Sequence, residues 1–273
     1  MQKTILITGA TDGIGKATAE LLAWAGHKII IHARTAEKGE RISNEIRQTS
    51  GNNSIEYVTA NFESLSQIAE MVSGINTRYS KIDVLINNAG VYRKTRNVLS
   101  NGFEETFMIN HLAHFFLTLK LLPLLREQEQ TQIINVSSMV HATNIDFDNL
   151  QGEKHYNGSD AYSRSKLCNM LLTNQLANQL KHSNITVNAL HPGVVQTKLL
   201  EAGWGAMGEN PTNSAKRFAF LIDNENLINV TGKYFMNNQQ TNPASIANQK
   251  SAMEKLWEIS SNLISQQGFY YDE

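Results

Sequence analysis

The chain has 273 residues, a length that fits one large α/β domain or two small ones. Hydrophobic residues make up 41% of it and charged residues 18%, which excludes disorder driven by charge. The formal net charge of −1 argues against a nucleic-acid-binding surface, and the single cysteine excludes a disulfide framework and a paired-cysteine metal site. With no leader and no apolar run of about 18 residues, the sequence predicts a cytoplasmic protein without metal or membrane anchor.

Short apolar runs alternate along the chain with segments of helical periodicity. We expect strands at residues 3–8, 28–32, 55–59, 84–86, 132–136 and 185–190. We expect helices at residues 14–25, 36–48, 64–79, 103–125, 160–181 and 247–263, with Ser64 as an N-cap and Pro123 bending or ending its helix. This alternation predicts an α/β fold, a doubly wound parallel sheet with helices on both faces. Because no linker or repeat interrupts it, we expect residues 1–273 to form a single domain.

A glycine-rich turn follows the first predicted strand. Its glycines have the spacing G-x-x-x-G-x-G, which lets the backbone turn sharply and lets a pyrophosphate approach the N-terminus of the next helix. A plain tight turn is the alternative. The candidate dinucleotide contacts in this turn are Gly9, Thr11, Asp12, Gly13, Ile14 and Gly15.

The end of the second strand bears on which dinucleotide binds. NAD-specific folds usually carry Asp or Glu there, and this chain has Arg34 instead. A guanidinium pairs well with a 2′-phosphate, and Lys16 adds positive charge near the turn, whereas Asp12 has the opposite charge. These charges favour NADP(H) as the cofactor. Two alternatives stay open: that the cofactor is NAD(H), and that Arg34 is a solvated surface charge that does not bind the cofactor.

Tyr162 and Lys166 are spaced i and i+4 on one predicted helix, so both lie on the same face. A lysine ammonium beside a tyrosine stabilises the phenolate and lowers the tyrosine pKa from its usual value near 10, which suits acid–base catalysis. Alone the pattern is weak, and an ordinary helical pair is the alternative.

Four further motifs lie at strand ends or in the long helix. They are N-N-A-G at 87–90, Asn110 within I-N-H, N-V-S-S at 135–138 and H-P-G-V-V-Q-T at 191–197. With the glycine turn and Y-x-x-x-K in this order, the chain resembles the short-chain dehydrogenase/reductase family over about residues 3–264. The resemblance implies a Rossmann-type sheet of seven strands with all motifs at its C-terminal edge. The insert between Ser138 and Tyr162 resembles the retinol-dehydrogenase-like (WW-domain-oxidoreductase-like) branch, whose membrane-bound members have an N-terminal anchor that this sequence lacks.

The resemblance implies a hydride transfer between a nicotinamide and a small-molecule carbonyl or alcohol. Tyr162 exchanges a proton with the substrate oxygen, Lys166 lowers the Tyr162 pKa and holds the ribose, and Ser138 polarises the carbonyl. Asn110 holds a water that links Lys166 to solvent. The implied cofactor contacts beyond the glycine turn are Arg34, Asn61, Phe62, Asn88, Ala89, Gly90, Tyr162, Lys166, Pro192, Gly193, Val195 and Thr197. Asn61 stands where the family has Asp, and its amide oxygen can still accept a hydrogen bond from adenine.

A substrate loop is expected at about residues 198–230. Its apolar side chains suggest a lipophilic substrate, with simple packing as the alternative: Leu199, Leu200, Trp204, Met207, Phe218, Phe220 and Leu221. The nearly all-round apolar run 115–122 indicates a buried helix and, as in the family, a subunit interface, so we expect a homodimer or homotetramer. A catalytically silent dinucleotide-binding sensor is the rival function, and the presence of both Tyr162 and Lys166 argues against it.

Overall fold

A computed structural model describes residues 1–271 of the chain. One sheet has the strand order β3-β2-β1-β4-β5-β6-β7-β8, parallel throughout except for the last pair. The strands are β1 (Thr4–Ile7), β2 (Lys28–Ala33), β3 (Ile55–Thr59), β4 (Val84–Asn87), β5 (Thr131–Val136), β6 (Ile185–His191), β7 (Tyr234–Met236) and β8 (Gln239–Thr241). The predicted doubly wound α/β fold is confirmed.

The sheet has one strand more than the seven implied by the family resemblance. β8 returns antiparallel to β7 through a two-residue turn, in which Asn237 and Asn238 both have positive φ angles, 51° and 62°. Asparagine tolerates this left-handed conformation, which type I′ hairpin turns require. The apolar pattern of the sequence predicted neither β7 nor β8, because each strand has only three residues.

Helices cover both faces of the sheet, and every predicted helix is present. They are α1 (Gly13–Trp24), α2 (Ala36–Ser50), α3 (Leu65–Arg78), α4 (Glu105–Phe107), α5 (Ala113–Arg126), α6 (Gly158–Gln179), α7 (Lys198–Trp204), α8 (Pro211–Asp223) and α9 (Lys250–Gln266). A π-helical turn, Met108–Leu112, joins α4 to α5 in one continuous helix. Ser64 caps α3, as predicted, whereas Pro123 lies inside α5 and does not end it.

The core has two layers because successive strand residues point to opposite faces of the sheet. Ile5 and Ile7 of β1 pack on the side of α1, α2 and α8, while Leu6 packs on the side of α3, α5, α6 and α9. Strands buried on both faces read as continuous apolar runs, which explains why the sequence pattern located them well.

The continuous helix 105–126 is long and apolar enough, by length and composition, to cross a membrane, contrary to our expectation of no such run. However, 83% of its apolar window is buried inside the protein. The rings of Trp257 and Phe269 lie 5.0 Å from Phe115 and 5.3 Å from Phe116, respectively. Residues of the same chain thus cover the face that suggested a subunit interface, and oligomerisation stays a prediction.

Two glycines provide a matched test of this packing. A Cβ on Gly15 would meet the Gly9 carbonyl and lie 2.6 Å from Asn88 Nδ2, whereas a Cβ on exposed Gly74 of α3 would meet nothing within 4 Å. We expect Gly74→Ala to raise the free energy of unfolding by about 0.5–1 kcal/mol, since alanine favours a helix. Gly15→Ala should lower it by about 1–3 kcal/mol, because backbone must move. Urea unfolding measures both, and a Gly15→Ala protein as stable as wild type would contradict the close approach.

Candidate active site

A cavity of about 510 Å³ opens at the C-terminal edge of the sheet. The carboxyl ends of parallel strands meet at this edge, which brings together motifs far apart in the sequence. The predicted site residues that line it are Gly9, Thr11, Asp12, Gly13, Ile14, Gly15, Arg34, Asn61, Phe62, Asn88, Ala89, Gly90, Ser138, Tyr162, Lys166, Pro192, Gly193, Val195 and Thr197. Of the predicted catalytic and cofactor-binding residues, Asn110 alone does not line the cavity; it lies behind the wall, fully buried.

The glycine turn forms one end of this cavity. Gly9 has a φ of +63°, and a Cβ there would lie 2.8 Å from the Cα of Ala89. The side chain of Asn88 donates to the Thr8 carbonyl at 2.7 Å, so the segment after β4 is fastened to the turn. Asp12 caps α1 by accepting from the Gly13 N–H at 2.9 Å. The helix N-terminus and the missing Cβ atoms form a cradle that fits the pyrophosphate of a dinucleotide.

Positive side chains line the neighbouring part of the wall. Arg34 lines the cavity with an exposed side chain, as does the half-buried Lys38, which no sequence motif marks. Lys16, expected to contribute here, does not line this cavity and instead forms ion pairs with Glu20 and Glu45. The two acidic partners lie on α1 and α2, so only the packing of these helices decides where Lys16 points.

Phe62 and Asn61 follow β3 at the same end. The Phe62 ring stacks on His32 with centroids 4.1 Å apart, and His32 also lines the cavity although no motif marks it. The amide oxygen of Asn61 accepts the N–H of Glu63 at 3.2 Å. A carbonyl oxygen has two lone pairs, so one remains for a further donor.

Tyr162 and Lys166 of α6 both line the cavity and are buried. The Lys166 ammonium lies 5.5 Å from the centroid of the Tyr162 ring and donates to the Val136 carbonyl at 3.1 Å. Ser138, two residues after Val136, also lines the cavity and lies close enough to Tyr162 to lower the pKa of its phenol. The predicted tyrosine, lysine and serine therefore meet at one point.

Asn110 lies in the π-helical turn and ties this point to its surroundings. Its amide oxygen accepts the Val91 N–H at 2.8 Å, and its amide nitrogen donates to the Val91 carbonyl and the Ser165 hydroxyl, both at 3.0 Å. A Cβ on Gly90 would lie 3.4 Å from Asn110 Oδ1 and 3.7 Å from Lys166 Nζ. Asn110 thus braces the wall beside Lys166, and π turns of this kind are frequent at functional sites.

The pKa shifts at this centre come mainly from burial. Burial raises the pKa of Tyr162 to about 12, and the hydrogen bond from Ser138 acts in the opposite direction. Burial also lowers the pKa of Lys166 to about 8. Burial outweighs any lowering of the Tyr162 pKa by Lys166, whose ammonium lies over the ring and bonds to Val136. That Lys166 lowers this pKa stays a prediction. At neutral pH the phenol is protonated and can donate its proton.

An aromatic wall covers the other side of Tyr162. The Trp204 ring is 5.4 Å from the Tyr162 ring, edge to face, and Tyr92 lies 5.1 Å from Trp204. Leu199, Leu200, Trp204 and Met207 line the cavity as predicted. Tyr92 was missed, since only its position two residues after N-N-A-G signals it.

Three apolar residues expected at the substrate site lie elsewhere. Phe218, Phe220 and Leu221 belong to α8, which packs against α1, and Phe218 is completely buried in the core. The sequence showed an apolar segment but not its helical face, so α8 was mistaken for part of the loop. The exposed apolar side chains at the cavity mouth are Met139, Val140, Val194 and Met207.

Comparisons with known proteins agree with this arrangement. The pattern of the short chain dehydrogenase family matches residues 3–205. The chain is 38% identical to human retinol dehydrogenase 13 over 279 aligned residues, which cover 96% of this chain and 84% of that one.

Two solved structures share the fold. A protein from Mycobacterium paratuberculosis has a TM-score of 0.79 and 29% identity, covering 96% of this chain and 93% of that one. The 3-ketoacyl-(acyl-carrier-protein) reductase from Brucella melitensis, solved with NADH, has a TM-score of 0.69 and 26% identity, covering 85% and 95%. The chain belongs to the short-chain dehydrogenase/reductase family, in its retinol-dehydrogenase-like branch, and is an NAD(P)-dependent oxidoreductase that acts on CH–OH or C=O groups.

Proposed function

We propose that the protein transfers a hydride between NADP(H) and a lipophilic carbonyl or alcohol, with Tyr162 as the proton donor and acceptor. The observation that carries this proposal is the convergence of Tyr162, Ser138 and Lys166 in a cavity that has a glycine cradle at one end and an apolar wall at the other. In this proposal the reacting carbon of the substrate lies between the glycine cradle and the apolar wall.

Each residue at the centre has its own role in the proposed carbonyl reduction. When bound, the dinucleotide supplies the hydride to the carbonyl carbon. Ser138 donates a hydrogen bond to the carbonyl oxygen, and Tyr162 gives that oxygen its phenol proton. The Lys166 cation stabilises the negative charge that then develops on Tyr162. Asn110 keeps the wall beside Lys166 in place through its two bonds to Val91. Alcohol oxidation runs through the same groups in reverse.

The central test removes one hydroxyl. Tyr162→Phe keeps the ring, and we expect kcat to fall by about 10²–10⁴-fold because proton transfer is lost, whereas dinucleotide affinity should barely change. Tyr92→Phe is the matched control, since it removes a hydroxyl from the adjacent ring. Nicotinamide absorbance measures both, on a substrate found by screening carbonyls and alcohols. Near-normal turnover by Tyr162→Phe would refute the mechanism and favour the silent sensor.

The Lys166 pKa of about 8 predicts a pH dependence. The ammonium is charged below this pH and neutral above it, so kcat for carbonyl reduction should fall as pH rises through about 8. In Lys166→Arg the charge persists to far higher pH, and the residual activity should lose this decline. The measurement is a pH profile of kcat at saturating substrate. A wild-type profile that stays flat through about pH 8 would contradict the role of the cation.

NADP(H) preference is supported by Arg34 and Lys38 on the cavity wall. We expect Arg34→Asp to weaken NADPH binding by about ten- to a hundredfold and to reverse the preference over NADH, because a charge-assisted pair with the 2′-phosphate becomes repulsive. Arg41→Asp, at an exposed position of α2, is the control. Fluorescence titration gives both dissociation constants. Equal affinities of the wild type for NADPH and NADH would show that Arg34 does not select the cofactor.

The lipophilic substrate is supported by the apolar wall and the apolar mouth of the cavity. Trp204→Ala should raise KM for a bulky apolar substrate more than for a small one, because only the bulky one loses contact area. Trp24→Ala, at the exposed end of α1, is the matched control. Steady-state kinetics with both substrates measures the effect. Equal changes in the two KM values would mean that Trp204 only packs the segment.

We further propose that the chain works as one domain in the cytoplasm, where its buried Cys168 stays reduced. In this proposal residues 198–230 include the substrate-covering segment. The prediction that the chain forms a homodimer or homotetramer can be tested by analytical ultracentrifugation, which measures the oligomeric state.

A further inference from the structure

Lys198, the first residue of α7 and of the expected substrate loop, forms an ion pair with Asp12 of the glycine turn. Its ammonium lies 2.6 Å from Asp12 Oδ2, although the two side chains are 85% and 54% exposed. The preceding residue, Thr197, packs against the same turn, since a Cβ on Gly13 would lie 3.1 Å from its methyl carbon. Lys198 is therefore held beside the N-terminus of α1 by its own ion pair and by the packing of its neighbour.

The other charges on the cavity wall indicate what this ion pair does. Among the described residues that line the cavity, Asp12 is the only carboxylate, and the cations are Arg34, Lys38, Lys166 and Lys198. Asp12 caps α1, where a phosphate would approach, so its negative charge opposes a dinucleotide unless a cation compensates it. Lys198 supplies that cation. An ammonium has three donors, and Asp12 takes one of them.

We propose that Lys198 is a phosphate-binding residue, and that Asp12 holds it beside the glycine turn ready to donate to the pyrophosphate of the dinucleotide. Because α7 also carries Trp204, this contact connects the dinucleotide phosphates with the wall that covers Tyr162. The inference rests on dinucleotide binding by this cavity, and it adds a residue that directly follows the motif 191–197 and is not among the cofactor contacts expected from the sequence.

Two charge-neutralising variants test the proposal, because they should change dinucleotide affinity in opposite directions. Lys198→Met removes the cation, and we expect the dissociation constants of NADH and NADPH to rise alike, by about three- to tenfold, because both share the pyrophosphate. Asp12→Asn keeps a side-chain oxygen that can cap α1 and accept from Lys198 but removes the negative charge that opposes phosphate, so both constants should fall by about two- to fivefold. Fluorescence titration at low and high salt measures binding without turnover, and the differences should shrink at high salt.

Lys250→Met is the matched control. Lys250 pairs with Glu254 on α9 at 3.6 Å, the side chains are 83% and 55% exposed, and the pair lies outside the cavity. Its variant should bind both dinucleotides like the wild type. Thermal melting without dinucleotide checks that every variant is folded.

Three results would overturn the proposal. Unchanged affinity in Lys198→Met means that the lysine does not contact phosphate. Equal weakening in Lys198→Met and Asp12→Asn means that the pair only latches α7. A loss confined to NADPH assigns Lys198 to the 2′-phosphate and contradicts the pyrophosphate contact. A wild-type protein that binds neither dinucleotide would instead refute the cofactor function itself. The Arg34→Asp variant tests that function independently, through its relative affinity for NADPH and NADH.

Discussion

The active-site edge depends on one buried hydroxyl group, that of Thr8 at the end of β1. It accepts the N–H groups of Asn88 and Ala89 at 2.8 and 2.9 Å and contacts His114 Nε2 at 3.0 Å. These bonds hold the glycine turn, the segment after β4 and the long central helix at one place. Because a buried polar group without partners is costly, the three segments are fixed relative to each other, and the cavity between them is preformed.

Two neutral histidines extend this connection across the sheet edge. His32 accepts the Gly9 N–H at 3.1 Å and bonds to the Ala60 carbonyl at 2.9 Å, while His114 bonds to the Asn110 carbonyl at 3.2 Å. Burial lowers the pKa of His32 to about 4 and that of His114 to about 3, so both rings are uncharged at neutral pH. They act as hydrogen-bonding spacers, and the positive charges on the cavity wall belong to Arg34, Lys38, Lys166 and Lys198.

Burial of the catalytic pair has two opposite consequences. It disfavours the charged forms, which keeps Tyr162 protonated and brings the Lys166 pKa close to physiological pH. It also removes water that would screen the lysine from the phenol, so its charge acts more strongly once the proton leaves. In the proposed mechanism Tyr162 is therefore a proton donor whose anionic form depends on a nearby cation, which would link the rate to the charge of Lys166.

The amino-acid sequence by itself determined the fold and most of the cavity wall, because these depend on short-range properties. Apolar runs define the parallel strands, and glycines mark where backbone must turn or approach closely, so motifs at strand ends necessarily meet at one edge. Only the tertiary structure decided which way long or ambiguous side chains point. Lys16 turns to acids on two helices, Phe218 packs in the core, and Tyr92 joins Trp204. The pKa shifts of Tyr162 and Lys166 likewise depend on burial, which is set by contacts between residues distant in the chain and leaves no trace in local sequence.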